Sequence, residues 1–269
     1  MILLKGMDAL ERNNVKLYGR EFGQAMIFAH GFGCDQNMWR FVAPSFEDEY
    51  RVILYDNVGA GHSDLTAYHR TKYDTLDGYA TDLLQICRQL GVSRAVFVGH
   101  SVSAMVGILA AIREPERFSD LVLVGPSPRH LDDEDYVGGF SQEDVEGLFE
   151  AIDSNYLGWS SVMAPLIVGN PHRPELGKEL TSSFNRTDPD IAQHFARVTF
   201  LSDNRADLPK VQTRSLILQC AEDVIAPTEV GEYLHRHLPS NELCRMKATG
   251  HFPSLSAPEE MIAAMRSFL

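Results

Sequence analysis

The sequence lacks an excess of positive charge. It has 24 Lys and Arg residues against 37 Asp and Glu residues, which gives a formal net charge of −13, and it contains no run of basic residues. Nucleic acids and anionic membrane surfaces attract basic proteins. The charge therefore argues against both as binding partners.

Long apolar runs are also missing. No stretch of about 18 apolar residues occurs, so we predict no transmembrane helix. The first residues, MILLKGMDALERN, lack the apolar core and the small-residue cleavage site of a signal peptide. We therefore expect a cytoplasmic protein.

The sequence contains only four cysteines, and their spacing matches no known motif. Cys34, Cys87, Cys220 and Cys244 lie far apart, and none belongs to a C-x-x-C pair or a zinc-binding pattern. We interpret them as reduced thiols and expect no metal centre. No long segment is rich in Ser, Gly or Pro, so a disordered chain is not expected either.

Short runs rich in β-branched and aromatic residues recur along the chain. Most are apolar without alternation, which is typical of strands buried on both faces. Helical patterns such as LDGYATDLLQICRQLGV separate many of them. Strands that alternate with helices predict an α/β protein with a doubly wound, mainly parallel sheet. The runs are NVKLYG, AMIFAHG, RVILYDN, AVFVGHS, LVLVGP, SLILQC and LCRMKATG.

One region breaks this alternation. Residues 129–209 contain several helical patterns but no convincing strand. A helical insertion between two strands predicts a lid over the carboxyl edge of the sheet. We therefore divide the chain into a first core part, residues 1–128, a lid, residues 129–209, and a second core part, residues 210–269.

A serine stands at the junction between a strand and a helix in RAVFVGHSVSAMVGILAAI. The pattern Gly99-His100-Ser101-Val102-Ser103 resembles a nucleophile elbow, a sharp strand-to-helix turn that exposes a serine hydroxyl. The usual second glycine is replaced by Ser103, which is also small. A serine that only caps a helix gives the same local pattern, so catalysis requires partners elsewhere.

An aspartate and a histidine follow in the chain order that such a serine requires. Asp223 lies in the acidic turn after SLILQC, and His251 follows CRMKATG, 28 residues further on. We predict Ser101 as nucleophile, His251 as its base, and Asp223 as the carboxylate that orients the imidazole. Glu222 is the competing carboxylate, and capping the next helix is the alternative role for Asp223.

A glycine-rich turn, AHGFG, follows the second strand run. We predict that the backbone N–H groups of Phe32 and Val102 form an oxyanion hole and that the Phe32 ring projects into the pocket. Simple chain reversal is the alternative interpretation. The turn is not a phosphate-binding loop, because no Lys follows and the G-x-G-x-x-G spacing is absent.

Motifs along most of the chain resemble those of the RsbQ-type α/β hydrolases, bacterial stress-signalling proteins related to the plant karrikin and strigolactone receptors. The resemblance implies an α/β-hydrolase core under a lid of four helices. It also implies a Ser101–Asp223–His251 triad with Phe32 and Val102 at the oxyanion positions. The motifs are HGFGCDQNMW, RVILYDNVGAGHSD, VFVGHSVSAM, LVLVGPSPRH, AEDVIAP and GHFPSLSAPE.

The same resemblance implies a small, mostly apolar pocket for hydrophobic ligands, which include butenolide-type lactones. Ordinary packing within the lid is the alternative role for the side chains concerned. For the bacterial branch it implies a partner phosphatase that carries a sensor domain. We expect no cofactor, because the predicted triad and its oxyanion donors supply the chemistry by themselves. The pocket residues are Phe32, Phe140, Leu148, Trp159, Met163, Phe200 and Phe252.

Several functions remain open from the sequence. The first is a serine hydrolase of small esters or lactones, and the second is a ligand-sensing protein whose lid and acidic stretch Asp132–Asp135 contact a partner. A solvated surface explains that stretch equally well. A metabolic carboxylesterase, lactonase or C–C hydrolase keeps the same triad, whereas a haloalkane dehalogenase needs Asp in place of Ser101.

Overall fold

A computed structural model describes residues 8–269, in which seven strands form one sheet. Positions 1–7, which begin both the first core part and the stretch MILLKGMDALERN on which the signal-peptide expectation rests, lie outside the described residues. Each strand overlaps one of the seven predicted runs. The strands are β1 (Lys16–Gly19), β2 (Ala25–Ala29), β3 (Arg51–Tyr55), β4 (Ala95–His100), β5 (Phe118–Val124), β6 (Arg214–Gln219) and β7 (Asn241–Arg245).

The strand order is β1-β3-β2-β4-β5-β6-β7, and every neighbouring pair is parallel except β1 with β3. The predicted α/β class with a mainly parallel sheet is confirmed. The chain runs from β2 outward to β3 and then returns to the other side of β2 as β4. This reversal creates a crevice outside the carboxyl ends of β2 and β4, where α/β proteins bind ligands.

Apolar layers cover both faces of the sheet. Every residue of β2 is buried, with Ile27 and Ala29 packed in one cluster and Met26 and Phe28 in another. Successive side chains of a strand point to opposite faces. A strand covered on both sides must therefore be apolar at every position, which is why AMIFA shows no alternation.

Helices form these two layers. The helices α2 (Leu76–Gln89), α3 (Val102–Arg113) and α7 (Thr228–His237) contribute to one cluster, and α9 (Pro258–Phe268) contributes to the other. Two short helices are α1 (Ala9–Arg12) and α8 (Pro253–Ser256). In the described part of the chain, no helix combines the length and the apolar character that crossing a bilayer needs.

Between β5 and β6 the described chain forms helices and no further strand of the sheet. They are α4 (Gln142–Val168), α5 (Pro174–Asn185) and α6 (Pro189–Phe200). A capping box of Ser141 and Asp144 begins α4, and Asn155, with φ −159° and ψ 80°, divides it into two arms. We refer to α4, α5 and α6 as the insertion helices.

Candidate active site

Ser101 occupies the turn between β4 and α3. Its backbone has φ 55° and ψ −123°, a conformation that L-residues rarely adopt, and its N–H donates to the carbonyl of Val124 at 2.8 Å. Strained backbone of this kind persists only where the surrounding structure holds it. The turn has the form of a nucleophile elbow, at the end of a central strand.

Ser101, His251 and Asp223 lie in one hydrogen-bonded row. The His251 Nε2 atom is 2.8 Å from Ser101 Oγ, and its Nδ1 atom is 2.7 Å from Asp223 Oδ2. All three residues are buried, with exposed fractions of 7%, 3% and 8% respectively. With Nδ1–H donated to the carboxylate, Nε2 presents a lone pair to the serine hydroxyl.

The Asp223 carboxylate is held by backbone donors as well as by the imidazole. Its Oδ1 atom accepts from the N–H groups of Ile225 and Ala226 at 2.9 and 3.1 Å. Burial raises the pKa of this carboxyl, but the attraction of His251 and the three hydrogen bonds outweigh burial and lower the pKa below its usual value. The competing Glu222 is exposed, so the carboxylate beside the imidazole is that of Asp223.

Two backbone contacts fix the position of His251. Its N–H donates to the carbonyl of Ile167 in α4 at 2.9 Å, and its carbonyl lies 2.7 Å from Nε2 of His100. Burial, together with the nearby His251, lowers the pKa of His100 to about 3, so His100 is a neutral donor. The sequence analysis names His100 only as part of the elbow pattern, although its place beside Ser101 was an available signal.

Gly125 is a second residue that sequence reasoning missed. It follows β5 with φ 53°, and a Cβ atom built on it would lie 3.1 Å from Cε1 and 3.2 Å from Nδ1 of His251. Any side chain here would strain the backbone and press on the imidazole. The available signal was a glycine directly after a buried strand.

The loop after β2 runs beside the elbow. A Cβ atom built on Gly31 would lie 3.3 Å from Ser101 Cβ and 2.5 Å from His100 Nδ1, so only glycine fits there. The N–H groups of Phe32 and Val102 have no acceptor within residues 8–269. Their use as an oxyanion hole stays a prediction, and both donors are available for it.

An apolar cavity of about 40 Å³ lies directly above the triad. All seven predicted pocket residues line it, together with Ser101 and His251, and most of them come from the insertion helices and the segment before α4. Phe32 packs edge-on against Trp159, with ring centroids 6.4 Å apart. The predicted lining residues are Phe32, Phe140, Leu148, Trp159, Met163, Phe200 and Phe252.

Sequence reasoning missed further residues of the lining, namely His100, His130, Ile167, Phe184, Thr199 and Ile225. Phe184 of α5 stacks on Trp159 at 5.5 Å. His130 lies 4.8 Å from the Phe200 ring, and burial, with a contribution from His251, lowers its pKa to about 4. It is therefore a neutral polar group in an otherwise apolar wall.

The described residues contain free cysteine thiols but no cluster suited to a metal ion. Within residues 8–269 no group of three or more His, Cys, Asp and Glu side chains is arranged to hold a metal ion. The four cysteines are free thiols, and three of them are buried.

Several known proteins are similar to this chain over nearly its whole length. Strigolactone esterase D14 of Arabidopsis thaliana is 43% identical over 264 residues, covering 97% of this chain and 98% of the relative. Strigolactone esterase RMS3 of Pisum sativum is 42% identical, with 94% of this chain and 95% of the relative covered. Karrikin insensitive 2 receptor CA of Petunia hybrida is 40% identical, with 95% and 94% covered.

A solved bacterial structure has the same architecture. The hydrolase olei00960 from Oleispira antarctica superposes with a TM-score of 0.94 at 39% identity, covering 97% of this chain and 96% of that one. The model of a protein family described as alpha/beta hydrolase fold matches residues 24–258 of this chain. With the elbow, the sheet order and these relatives in agreement, this chain belongs to the α/β hydrolase family.

Proposed function

We propose that the protein is a serine hydrolase that cleaves a small hydrophobic ester or lactone through an acyl-serine intermediate. The observation that carries this proposal is the row of hydrogen bonds from Ser101 through His251 to Asp223 beneath an apolar cavity. Several relatives are named esterases, in agreement with ester chemistry.

The first proposed step is acylation of Ser101. Ser101 Oγ attacks the ester carbonyl carbon while its proton passes to His251 Nε2, and Asp223 stabilises the imidazolium that forms. The carbonyl oxygen becomes an oxyanion, which the N–H groups of Phe32 and Val102 bind. His251 then gives the proton to the departing alkoxide oxygen, which leaves an acyl group on Ser101.

Deacylation repeats these steps with water. His251 Nε2 takes a proton from the water as its oxygen attacks the acyl carbon, and the same imidazole then protonates Ser101 Oγ as the acid is released. In a lactone the alkoxide is tethered to the acyl group, so the ring opens before water enters. The chain supplies nucleophile, base and oxyanion donors, and we propose no cofactor.

The cavity sets the substrate class. Its lining is aromatic and aliphatic, and a volume of about 40 Å³ holds only a few water molecules. This lining favours a small, apolar substrate, and we propose that side chains of the insertion helices move to admit a ring of lactone size. This favours a ligand that the insertion helices detect as they close over it.

We propose in addition that the protein signals occupancy of this cavity, with the insertion helices (residues 129–209 in the predicted division) acting as its lid. The relative from Petunia hybrida is named a receptor, which agrees with sensing. An RsbQ-like partner, a phosphatase with a sensor domain in the cytoplasm, is the finer form of this proposal. A metabolic carboxylesterase, lactonase or C–C hydrolase without a partner is the alternative.

Two of the four acidic side chains in the stretch Asp132–Asp135 bind groups within the protein. Asp132 Oδ1 accepts from the N–H groups of Gly138 and Gly139 at 2.8 and 2.9 Å, and Asp133 pairs with Arg205 at 2.9 Å. These contacts hold the loop that precedes α4. They favour a structural role for the first two carboxylates over contact with a partner.

The hydrolase proposal is tested with Ser101→Ala and p-nitrophenyl acetate. We expect turnover to fall about 10³-fold or more, because no other group in the site is placed to attack the carbonyl. Ser93→Ala, at an exposed position before β4, is the control and should retain wild-type turnover. Turnover by Ser101→Ala at the wild-type rate would contradict the proposal.

The sensing proposal needs a separate measurement. Hydrogen exchange of α4 and α6 is compared with and without a synthetic butenolide lactone, using Ser101→Ala so that hydrolysis does not remove the ligand. Protection of these helices on ligand addition supports sensing by the lid. Fast turnover of the lactone by the wild-type protein with no change in exchange supports the metabolic alternative.

A further inference from the structure

We propose that Ser103 is a positioning residue, whose hydroxyl holds the backbone of residues 30–32 so that the Phe32 N–H faces the oxyanion. The proposal rests on the hydrolase function above. Ser103 stands where the elbow pattern usually has glycine, and it is fully buried. Glycine has no side chain that could form a hydrogen bond. The serine therefore adds a hydroxyl that the turn itself does not need.

The Ser103 hydroxyl reaches from the elbow to the oxyanion loop. Its Oγ donates to the carbonyl oxygen of His30 at 2.5 Å. Asn57, which lies just beyond β3, donates from Nδ2 to the same carbonyl at 3.3 Å and to Ser103 Oγ at 3.2 Å. The ends of β3, β2 and β4, neighbours in the sheet, are thus joined by one buried polar cluster.

The ring of His30 completes this cluster. The backbone N–H of Asn57 donates to His30 Nε2 at 2.9 Å, so Nε2 carries no proton and the neutral ring has its proton on Nδ1. Nδ1 lies 2.9 Å from the carbonyl oxygen of Gly31 and donates to it. The ring nitrogens and carbonyl of His30, the Nδ2 of Asn57 and the hydroxyl of Ser103 are all paired, and paired groups in a buried network are held rigidly.

Because peptide units are planar, this cluster also fixes the direction of the Phe32 N–H in the proposed oxyanion hole. The Gly31 carbonyl and the Phe32 N–H belong to one planar, trans peptide unit, so fixing the carbonyl direction fixes the opposite direction of the N–H. The carbonyl that Ser103 holds belongs to the preceding peptide unit. The cluster thereby sets two consecutive peptide planes beside Ser101, where small errors in donor direction weaken oxyanion binding.

A merely structural role makes a different prediction from a positioning role. Loss of a buried hydrogen bond lowers stability wherever it occurs, but only a positioning role lowers affinity for a tetrahedral adduct. The matched control is Ser215→Ala. Ser215 is equally buried and donates to the carbonyl of Thr213 at 3.1 Å, at the start of β6 on the opposite edge of the sheet.

The experiment measures p-nitrophenyl acetate turnover and competitive inhibition by phenylboronic acid, which forms a tetrahedral adduct with a serine hydroxyl. For Ser103→Ala we expect kcat to fall about tenfold or more, with KM changed by less than about twofold. The inhibition constant for phenylboronic acid should weaken by a similar factor. Ser215→Ala should lower the melting temperature without changing either quantity.

Unchanged kcat in Ser103→Ala, or a lower kcat with unchanged phenylboronic acid inhibition, overturns the inference. Where Ser103→Ala does not fold, Ser103→Gly supplies the usual elbow residue and must show the same two losses. Asn57→Ala removes the second donor to the His30 carbonyl and must show them to a smaller degree. If Ser101→Ala remains active, the hydrolase proposal itself fails, and this outcome is distinct from an inactive Ser101→Ala beside a fully active Ser103→Ala.

Discussion

The hydroxyl of Ser101 and the imidazole of His251 are 150 residues apart in the chain and 2.8 Å apart in space. The order of the sheet produces this contact, because β4 lies near the middle and the loop after β7 folds back across its carboxyl edge. The Ile167 carbonyl of α4 also binds the His251 backbone. The insertion helices therefore help to position His251 and also contribute to the cavity wall.

Adding a methyl group at Gly125 should disturb the imidazole. The new Cβ would lie 3.1 Å from His251 Cε1, on a residue with φ 53° that disfavours any side chain. We expect Gly125→Ala to lower kcat for p-nitrophenyl acetate about tenfold or more, since small misplacements of a catalytic group are costly. Labelling of Ser101 by a fluorophosphonate should slow by a similar factor.

Gly147→Ala is the matched control for this prediction. Gly147 lies in α4, and a Cβ atom there would meet nothing within 4 Å. Alanine in a helix is favoured over glycine by about 1 kcal/mol, so this variant should be at least as stable as the wild type and equally active. Equal activity of Gly125→Ala and Gly147→Ala would show that Gly125 does not set the position of the imidazole.

Acid should destabilise the protein through its buried neutral histidines. The pKa of His130 is lowered to about 4, mainly by burial and secondly by its electrostatic interaction with His251, whereas the unfolded value is near 6.5. Between these values the unfolded chain binds a proton that the folded protein does not bind, so stability falls as pH falls. The expected loss is about 3 kcal/mol between pH 6.5 and pH 4 from this residue.

His130→Phe tests this linkage through urea unfolding at pH 7 and at pH 4.5. The variant should lose less unfolding free energy over this interval than the wild type, because the proton-binding site is gone. His172→Gln, at an exposed position in the turn before α5, should keep the wild-type dependence on pH. Identical pH dependence in His130→Phe and the wild type would rule out His130 as a source of acid sensitivity.

A buried ionic cluster outside the site should contribute to the stability of the protein but not to its activity. The Asp82 side chain is 2% exposed; it pairs with Arg12 at 2.8 Å and Lys72 at 2.6 Å and accepts from the Tyr73 hydroxyl at 2.7 Å. Removing one partner of a buried ion pair typically costs about 3–5 kcal/mol. Asp82→Ala should therefore unfold at a much lower urea concentration.

The control for the ionic cluster is Asp77→Ala. Asp77 pairs with Arg113 on the exposed face of α2, and exposed ion pairs contribute about 0–1 kcal/mol. At low temperature, where both variants are folded, kcat should match the wild type. Equal unfolding midpoints for Asp82→Ala and Asp77→Ala would contradict the assignment of this energy to the buried cluster.

Truncation of an aromatic wall residue should change which esters are accepted. Phe140 contributes to the cavity wall and packs edge-on against Phe200 at 5.4 Å. Because the cavity measures only about 40 Å³, we expect Phe140→Ala to raise the ratio of kcat/KM for the butyrate ester over the acetate ester about tenfold. The exposed Phe22 supplies the control, Phe22→Ala, and a ratio that stays the same in both variants would place the limit on substrate size elsewhere.

Much of the fold was predictable because it depends on local patterns. Uninterrupted apolar runs such as AMIFA mark strands covered on both faces, and the chain order of Ser101, Asp223 and His251 marks three strand ends at one edge of the sheet. Buried parallel strands and their connecting helices repeat a simple alternation. The turn lets only one of the adjacent side chains of Glu222 and Asp223 point inward, and the contact of 2.7 Å between Asp223 Oδ2 and His251 Nδ1 in the structure shows which one does.

The supporting residues were not predictable in the same way. The roles of His100, Gly125 and the cluster of Ser103, Asn57 and His30 depend on which strand ends are neighbours in the sheet. The sequence shows that a sheet exists but does not fix the order β3-β2-β4-β5. Each of these residues contacts a segment that follows a different strand, either through a hydrogen bond or through a close approach.

The most direct test of the central claim is the mass of the protein quenched in acid during turnover of p-nitrophenyl acetate. The account predicts a mass gain of one acetyl group, located on the peptide that contains Ser101, and its absence in Ser101→Ala. An acetyl group found only on other residues, or turnover that continues in Ser101→Ala, would contradict the account.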